Sequence, residues 1–236
     1  VHLAAIVGAP LCDRDPIASR TTNVDAVARL IELREQGQKI IYPCTNSGYG
    51  IGQLDESGQP VYCTEETPLR PVSLYGRLKV EAEKALMESG NSVSLRLATV
   101  FGASPRMRWD LLVNDFVLRA LRDHYIVLFE SHFKRNYVHI LDVAGAFMHC
   151  LCHWDVIKDQ VYNVGLSSAN LSKWELCERI KEQVPDFYFV EAEVGEDPDK
   201  RNYVVSNEKI EATGWRPGFT LEEGIAELVK ACQMWG

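Results

Sequence analysis

The run KIIYPCT (39–45), with the turn residues NSGYG (46–50) behind it, decides the fold. It is short, continuous and apolar, which is how a strand reads when both faces of its sheet are covered. Working outward, residues 46–72 are rich in Gly, Pro, Ser and Thr and read as loop. SLYGRLKVEAEKALMES (73–89) reads as a helix stopped by Gly90 and Asn91, and VSLRLATVF (93–101) reads as the next strand. On the other side, Val24, Val27, Leu30, Ile31 and Leu33 recur at helical spacing within 21–36, a helix ended by Gly37. VHLAAI (1–6) reads as a further buried strand. Strand, helix, strand, helix, strand at this spacing predicts βα units and an open parallel sheet.

After Gly102 the pattern changes. A helix near 111–122 leads to the short runs YIVLF (125–129) and NYVHI (136–140). A helix over 141–154, a strand near 160–164 and a helix near 171–183 follow. Short strands near 187–192 and 202–205 and a last helix from 221 to 235 complete the pattern. The reading is an α/β, doubly wound parallel sheet in residues 1–102. Residues 103–236 form mainly a smaller mixed α/β lobe, with 136–165 returning to complete the sheet. Because Val1 falls inside what reads as an interior strand, the sheet is expected to lack its first βαβ units in this sequence.

The bulk composition narrows the partners. A net charge of −8 argues against a nucleic-acid surface, which needs a basic stripe. No apolar run reaches the roughly 18 residues of a membrane span, and no basic segment precedes the apolar start as in a signal peptide. Seven cysteines without a CxxC pair are expected to be reduced thiols in a cytoplasmic protein. His149-Cys150-Leu151-Cys152-His153 has the look of metal ligands, but a helix puts His149 and His153 on one face and the thiols elsewhere. A packed helix is the preferred reading, and no metal is expected.

Tyr75 and Lys79 in YGRLK share one face of the predicted helix. A free tyrosine, with a pKa near ~10, is a poor base at neutral pH, and a cation held nearby favours its phenolate. The spacing alone is unspecific, since an ordinary exposed helix pair has it too. Its setting adds weight: strand 39–45 ends in Thr45, and ligands gather at the carboxyl ends of parallel strands. Thr45 is thus placed to share a hydrogen bond with the oxygen that Tyr75 deprotonates. Gly48, Gly50 and Gly52 follow GxGxG and open no helix, so they read as turn residues rather than a phosphate cradle.

Seven motifs in order, HLAA (2–5), TNV (22–24), TNSGYG (45–50), YGRLK (75–79), RLATVFG (96–102), RNYVHILDVA (135–144) and YNVG (162–165), resemble the extended short-chain dehydrogenase/reductase family. That family includes NAD-dependent sugar-nucleotide epimerases, dehydratases and dehydrogenases on a Rossmann-like fold. VGAPLC, TNSGYGIG, ATVFGASPRMRWDLLVNDF and GEDPDKRNYVVSN resemble one branch, the GDP-D-glycero-α-D-manno-heptose 4-dehydrogenases of surface-polysaccharide synthesis. The resemblance implies Thr45, Tyr75 and Lys79 as the catalytic set, with Tyr75 and Lys79 also at the cofactor. It implies that Leu3, Ala4, Ala5, Ile6 and Val7 line the cofactor, that Asn23 ties the sheet beside it and that Ala98 bonds the carboxamide through its backbone. Arg135 and Arg201 are implied to grip the substrate diphosphate, a task suited to a flat, always charged guanidinium. Asn46, Ser47 and Arg108 are implied to face the substrate. The implied cofactor is NAD, with NADP also open, the implied partner a nucleotide sugar, and the implied assembly a homodimer packed through the Tyr75 helix.

Two departures bear on the chemistry. The glycine-rich turn that sets a dinucleotide pyrophosphate on a helix N-terminus is expected roughly 60–70 residues upstream of this sequence. The family's 4,6-dehydratases carry Asp-Glu after the threonine, whereas Asn46 and Ser47 stand here and titrate usefully at no neutral pH. The sequence therefore favours oxidation at a sugar 4-position. A 4-epimerase and a non-catalytic dinucleotide-binding relative are the alternatives.

Overall fold

The computed structural model describes residues 1–196 and 200–235. In chain order its elements are α1 (Ala9–Arg14), α2 (Pro16–Arg20), a π-helical turn Thr21–Asp25, α3 (Ala26–Leu33), β1 (Ile40–Thr45), a 3₁₀ turn Asn46–Tyr49, β2 (Gln53–Leu54) and β3 (Pro60–Cys63). Then come α4 (Leu74–Ser89), β4 (Ser92–Leu97), β5 (Thr99–Phe101), α5 (Leu112–Arg122), β6 (Tyr125–Leu128), β7 (Lys134–His139), α6 (Ile140–Cys152) and α7 (Trp154–Ile157). The chain closes with β8 (Gln160–Val164), β9 (Asn170–Ser172), α8 (Lys173–Lys181), β10 (Tyr188–Glu191), β11 (Val204–Val205), α9 (Glu208–Ala212) and α10 (Leu221–Trp235).

The central sheet has the order β1-β4-β8, and both pairings are parallel, with Ile40 opposite Ser92 and Leu97 opposite Val164. Side chains alternate across it as a pleat requires. Ile40, Tyr42 and Cys44 pack with Val27, Ala82 and Leu86 of α3 and α4. Ile41, Val93 and Leu95 pack on the opposite face with Val143, Ala146 and Cys150 of α6. Helices cover both faces, so the doubly wound α/β sheet expected from the sequence is the one observed. Pro43 has no N–H for a ladder, and among the described residues β1 has a strand partner only on its β4 side.

Three expectations need correction. Residues 1–6 form no strand: His2 N donates to Ile41 O at 3.3 Å, but Ile6 spends both backbone groups on the Asn23 side chain, its N–H to Oδ1 and its carbonyl from Nδ2, each 2.8 Å. The helix predicted over 21–36 starts earlier, at Pro16 with Asp15 capping Ala18 N, passes through the π turn and ends at Leu33. The strand predicted over 93–101 is two. Ala98 N donates to Val164 O at 2.9 Å, and the chain then leaves the central sheet so that Thr99–Phe101 pairs with Tyr137–His139. Asp197, Pro198 and Asp199 of the 195–207 motif lie outside the described residues.

The second core gathers α5, α8 and α10 around Phe101, Phe116, Tyr137, Leu176 and Ile225. Gly224 is required there, because a Cβ would come within 2.4 Å of the Phe101 ring. The helix 141–154 expectation holds in α6. His149 Nε2 pairs with Thr213 Oγ1 at 2.8 Å, Cys150 is buried and Cys152 exposed. Among the described residues no three His, Cys, Asp or Glu side chains are placed to hold a metal ion, and no helix is long and apolar enough to cross a membrane.

α4 is fastened to β4 by a buried ion pair. Arg96 Nη2 meets Glu83 Oε1 at 2.7 Å with both side chains nearly sealed from solvent (7% and 5% exposed), and Ser94 Oγ donates to Glu83 Oε2 at 2.6 Å. Arg96 Nη1 continues to Tyr49 Oη at 3.1 Å, and Tyr49 donates to Asn163 Oδ1 at 2.7 Å. Removing one partner of such a pair leaves a buried charge alone, which costs about 3–5 kcal/mol. Glu83→Leu should therefore lower the urea midpoint sharply. The double replacement Glu83→Leu with Arg96→Met should recover at least half of that loss, and a double variant as unstable as the single would show that the pair is not what couples the two elements.

Candidate active site

The 3₁₀ turn at the carboxyl end of β1 packs against the first turns of α4. Thr45 caps the 3₁₀ turn: its Oγ1 accepts from Ser47 N at 3.1 Å and donates to Ser47 Oγ at 3.0 Å. Ser73 caps α4 by accepting from Gly76 N at 3.1 Å. Two glycines let turn and helix meet. A Cβ on Gly76 would lie 3.3 Å from Ser47 O, and one on Gly48 would lie 3.0 Å from Val80. Gly50, at φ +68°, runs so close to Arg70 that a Cβ would sit 2.0 Å from its carbonyl oxygen. Of the glycines read from the sequence as turn residues, Gly50 takes the positive φ of a tight turn, whereas Gly48, like Gly76, serves close packing.

Tyr75 and Lys79 lie on the side of α4 that faces β1, and Cys44 of that strand acts on both. Tyr75 is half-buried, whereas Lys79 is 3% exposed, and its Nζ stands 3.9 Å from the centroid of the Tyr42 ring. Cys44 Sγ approaches Lys79 O at 3.7 Å. The chain before α1 closes the other side: Cys12 Sγ donates to Ile6 O at 3.4 Å, and the fields of His2 and Cys12 act on Lys79 or are acted on by it. Of the five residues predicted to line a cofactor, Leu3 and Ala4 are exposed, and Ala5, Ile6 and Val7 are half-buried. Asn23 holds Ile6 as described. Ala98 has committed its N–H to Val164, so its carbonyl is the backbone group left to offer.

The predicted substrate residues fall in two sets. Arg201 donates through Nη1 to Ser47 Oγ, which ties it to the Thr45 turn across the fold. Asn46 is 1% exposed beside Thr45, and neither its amide nitrogen nor its oxygen has a hydrogen-bond partner among the described residues. Arg108 is turned onto Asp110 in a two-point contact, Nε to Oδ1 and Nη2 to Oδ2 at 2.7 Å each, yet its charge reaches Tyr75. Arg135 is 4% exposed, donates to Lys134 O at 2.9 Å and lies over the Tyr203 ring at 5.8 Å.

The electrostatics differ from the sequence expectation in one respect. Lys79 was expected to pull the Tyr75 phenol toward acidity. Instead burial holds Tyr75 above the ordinary tyrosine range, and the cations that oppose this are Arg201 and Arg108. Burial also acts on Lys79, pushing its ammonium down to about 8 against the smaller opposing fields of Cys44, Glu83 and Cys12. Periodicity reported that Tyr75 and Lys79 share a face. It carried no signal that Tyr42, on a strand, would lie between helix and sheet beneath the ammonium.

A dinucleotide fits part of this geometry. The Lys79 ammonium makes no hydrogen bond among the described residues, so its donors are open to a ligand's hydroxyls, and Tyr75 stands one turn away on the same face. The sequence profile of the NAD dependent epimerase/dehydratase family matches residues 1–165, and the chain belongs to that family, whose cofactor is NAD. It is 28% identical over 174 residues to the low-salt glycan biosynthesis protein Agl12 of Haloferax volcanii, covering 70% of this chain and 54% of that one. The chain thus spans about half the length of curated relatives such as this. Its fold is similar to that of a UDP-glucose 4-epimerase from Thermotoga maritima with UDP-glucose, at TM-score 0.83 and 23% identity over 99% of this chain and 76% of that one. It is also similar to a Thermus thermophilus UDP-glucose 4-epimerase in complex with NAD, at TM-score 0.79 and 25% identity over 98% and 76% of the two chains.

A buried ammonium is a stability cost. Between about pH 8 and the ordinary lysine value of 10.5 the folded chain binds fewer protons than the unfolded one, so stability should rise with pH across that window. Lys79→Met should stabilise the protein at pH 7 by about 1–3 kcal/mol. That gain should shrink toward zero as denaturation is repeated up to the ordinary lysine value. A destabilised Lys79→Met variant at pH 7 would refute the assignment.

Proposed function

We propose that this chain carries the catalytic wall of an NAD-dependent enzyme that oxidises the 4-hydroxyl of a nucleotide-linked sugar. The observation that supports it is a Lys79 ammonium that makes no hydrogen bond among the described residues, on the helix that also carries Tyr75 and packs on β1, the strand that ends in Thr45, with Cys44 of that strand acting on both side chains. Bound NAD supplies the hydride acceptor. Thr45 orients the sugar hydroxyl, and Tyr75 takes its proton, helped by the nearby charges of Arg201 and Arg108, which stabilise the phenolate. Lys79 binds ribose hydroxyls and holds positive charge at the site. Leu3 to Val7, Asn23 and Ala98 form the cofactor side of the site. Asn46 and Ser47 meet the sugar, and Arg135, Arg201 and Arg108 meet the diphosphate.

The substrate favoured is a GDP-heptose, on the resemblance of residues 7–12, 45–52, 98–116 and 195–207 to that branch. The assembly favoured is a cytoplasmic homodimer packed through α4. Residues 1–102 and 103–236 serve as cofactor-binding and substrate-binding parts. Elimination of water is disfavoured because Asn46 and Ser47 replace the acid and base it needs. A 4-epimerase is the second reading, supported by the likeness to the Thermotoga and Thermus epimerases.

Incubating the protein with NAD and GDP- or UDP-sugars separates these. A keto-sugar accumulating with stoichiometric NADH supports oxidation, and an inverted sugar without net NADH supports epimerisation. Tyr75→Phe should lower turnover by about 10²–10⁴-fold. Unchanged turnover in that variant would end the proposal.

A further inference from the structure

Lys79 is held in the core by something other than a carboxylate. Its ammonium makes no hydrogen bond among the described residues, and the ring of Tyr42 lies 3.9 Å beneath it. Glu83, one turn further along α4, is committed to Arg96 at 2.7 Å and Ser94 at 2.6 Å. Tyr42 is 1% exposed, packed in one cluster with Val27, Ile40, Ala82 and Leu86, and among the described residues its hydroxyl has no hydrogen-bond partner. The polar part of this tyrosine therefore does nothing visible, while its π face meets a buried cation. A cation over an aromatic face is attracted by the ring quadrupole, and more strongly where water is excluded.

We infer that Tyr42 is a positioning residue whose π face seats the Lys79 ammonium, keeping it charged inside the core on the face of α4 that carries Tyr75. Packing fixes the ring, so the seat is rigid and sets where the ammonium stands before any ligand arrives. Other groups face Lys79 from each neighbouring element: Cys44 from β1, Cys12 from α1, His2 from the first segment and Glu83 from α4 itself. None is placed as an ion-pair partner. The functional meaning of the seat rests on Lys79 acting with Tyr75 as proposed above, whereas the contact is testable without any activity.

The titration of Lys79 can be followed by ¹³Cε-lysine NMR on the full chain, with the resonance assigned through Lys79→Arg. Tyr42→Phe keeps the face and drops only the unpartnered hydroxyl, so Lys79 should titrate as in the wild type. Pentafluorophenylalanine at position 42 keeps the shape and reverses the quadrupole, and the Lys79 midpoint should fall by about one pH unit. Tyr42→Leu should do the same, and the fluorinated ring decides the matter if that variant does not fold. A fluorinated chain that titrates as wild type, or a Tyr42→Phe chain that shifts as far as the fluorinated one, would overturn the seat. The expected pattern in a protein that oxidises no nucleotide sugar would refute the proposed reaction and leave Tyr42 in its role.

Discussion

The placement of α4 on the central sheet depends on a charged pair buried between α4 and β4. Glu83 on α4 and Arg96 on β4 meet at 2.7 Å with almost no access to water, and each is too costly to bury without the other. Around them Ser94, Tyr49, Asn163 and the carbonyl of Glu65 satisfy the remaining donors and acceptors. This network joins α4 to β4, β8 and the turn after β1. An apolar interface would resist separation but would tolerate sliding. A saturated set of directional bonds does not, so α4 is held in one register against the sheet, and Tyr75 and Lys79 with it.

From that register follows the character of the site. Burial works in opposite senses on its two titratable groups, raising Tyr75 and lowering Lys79, because in each case it disfavours the charged form. Neither group therefore has its charge set by the other. Arg201 and Arg108 act on the phenol from beyond β5, and the Tyr42 ring lies under the ammonium. The pair that looks self-contained on a helical wheel is built from four parts of the sequence. Among the described residues the buried Asn46 amide has no hydrogen-bond partner, and Arg201 donates to Ser47 beside it.

Much of this was legible in the residues. The apolar run 39–45 and the helical spacing in 73–89 each report one face of one element, and both elements are where the pattern placed them. The same reasoning failed at residues 1–6, where an apolar run reads as a strand whatever its backbone bonds to. There Asn23, a side chain from another element, takes the bonds that a neighbouring strand would have taken. It failed again at Ala98, because apolar continuity across 93–101 hides the point at which the chain changes sheet.

What the sequence determined by itself is the order of βα units, the shared face of Tyr75 and Lys79, the hydroxyl at the end of β1 and the family. Each of these is a short-range pattern or a string of local motifs, and local geometry transmits them directly. Only the tertiary structure decided that Lys79 rests on an aromatic face, that burial and two distant arginines govern Tyr75, and that Glu83 is taken by Arg96. Those are contacts between residues far apart in the chain, and their strength depends on how much water is excluded between them, a quantity that no local pattern encodes.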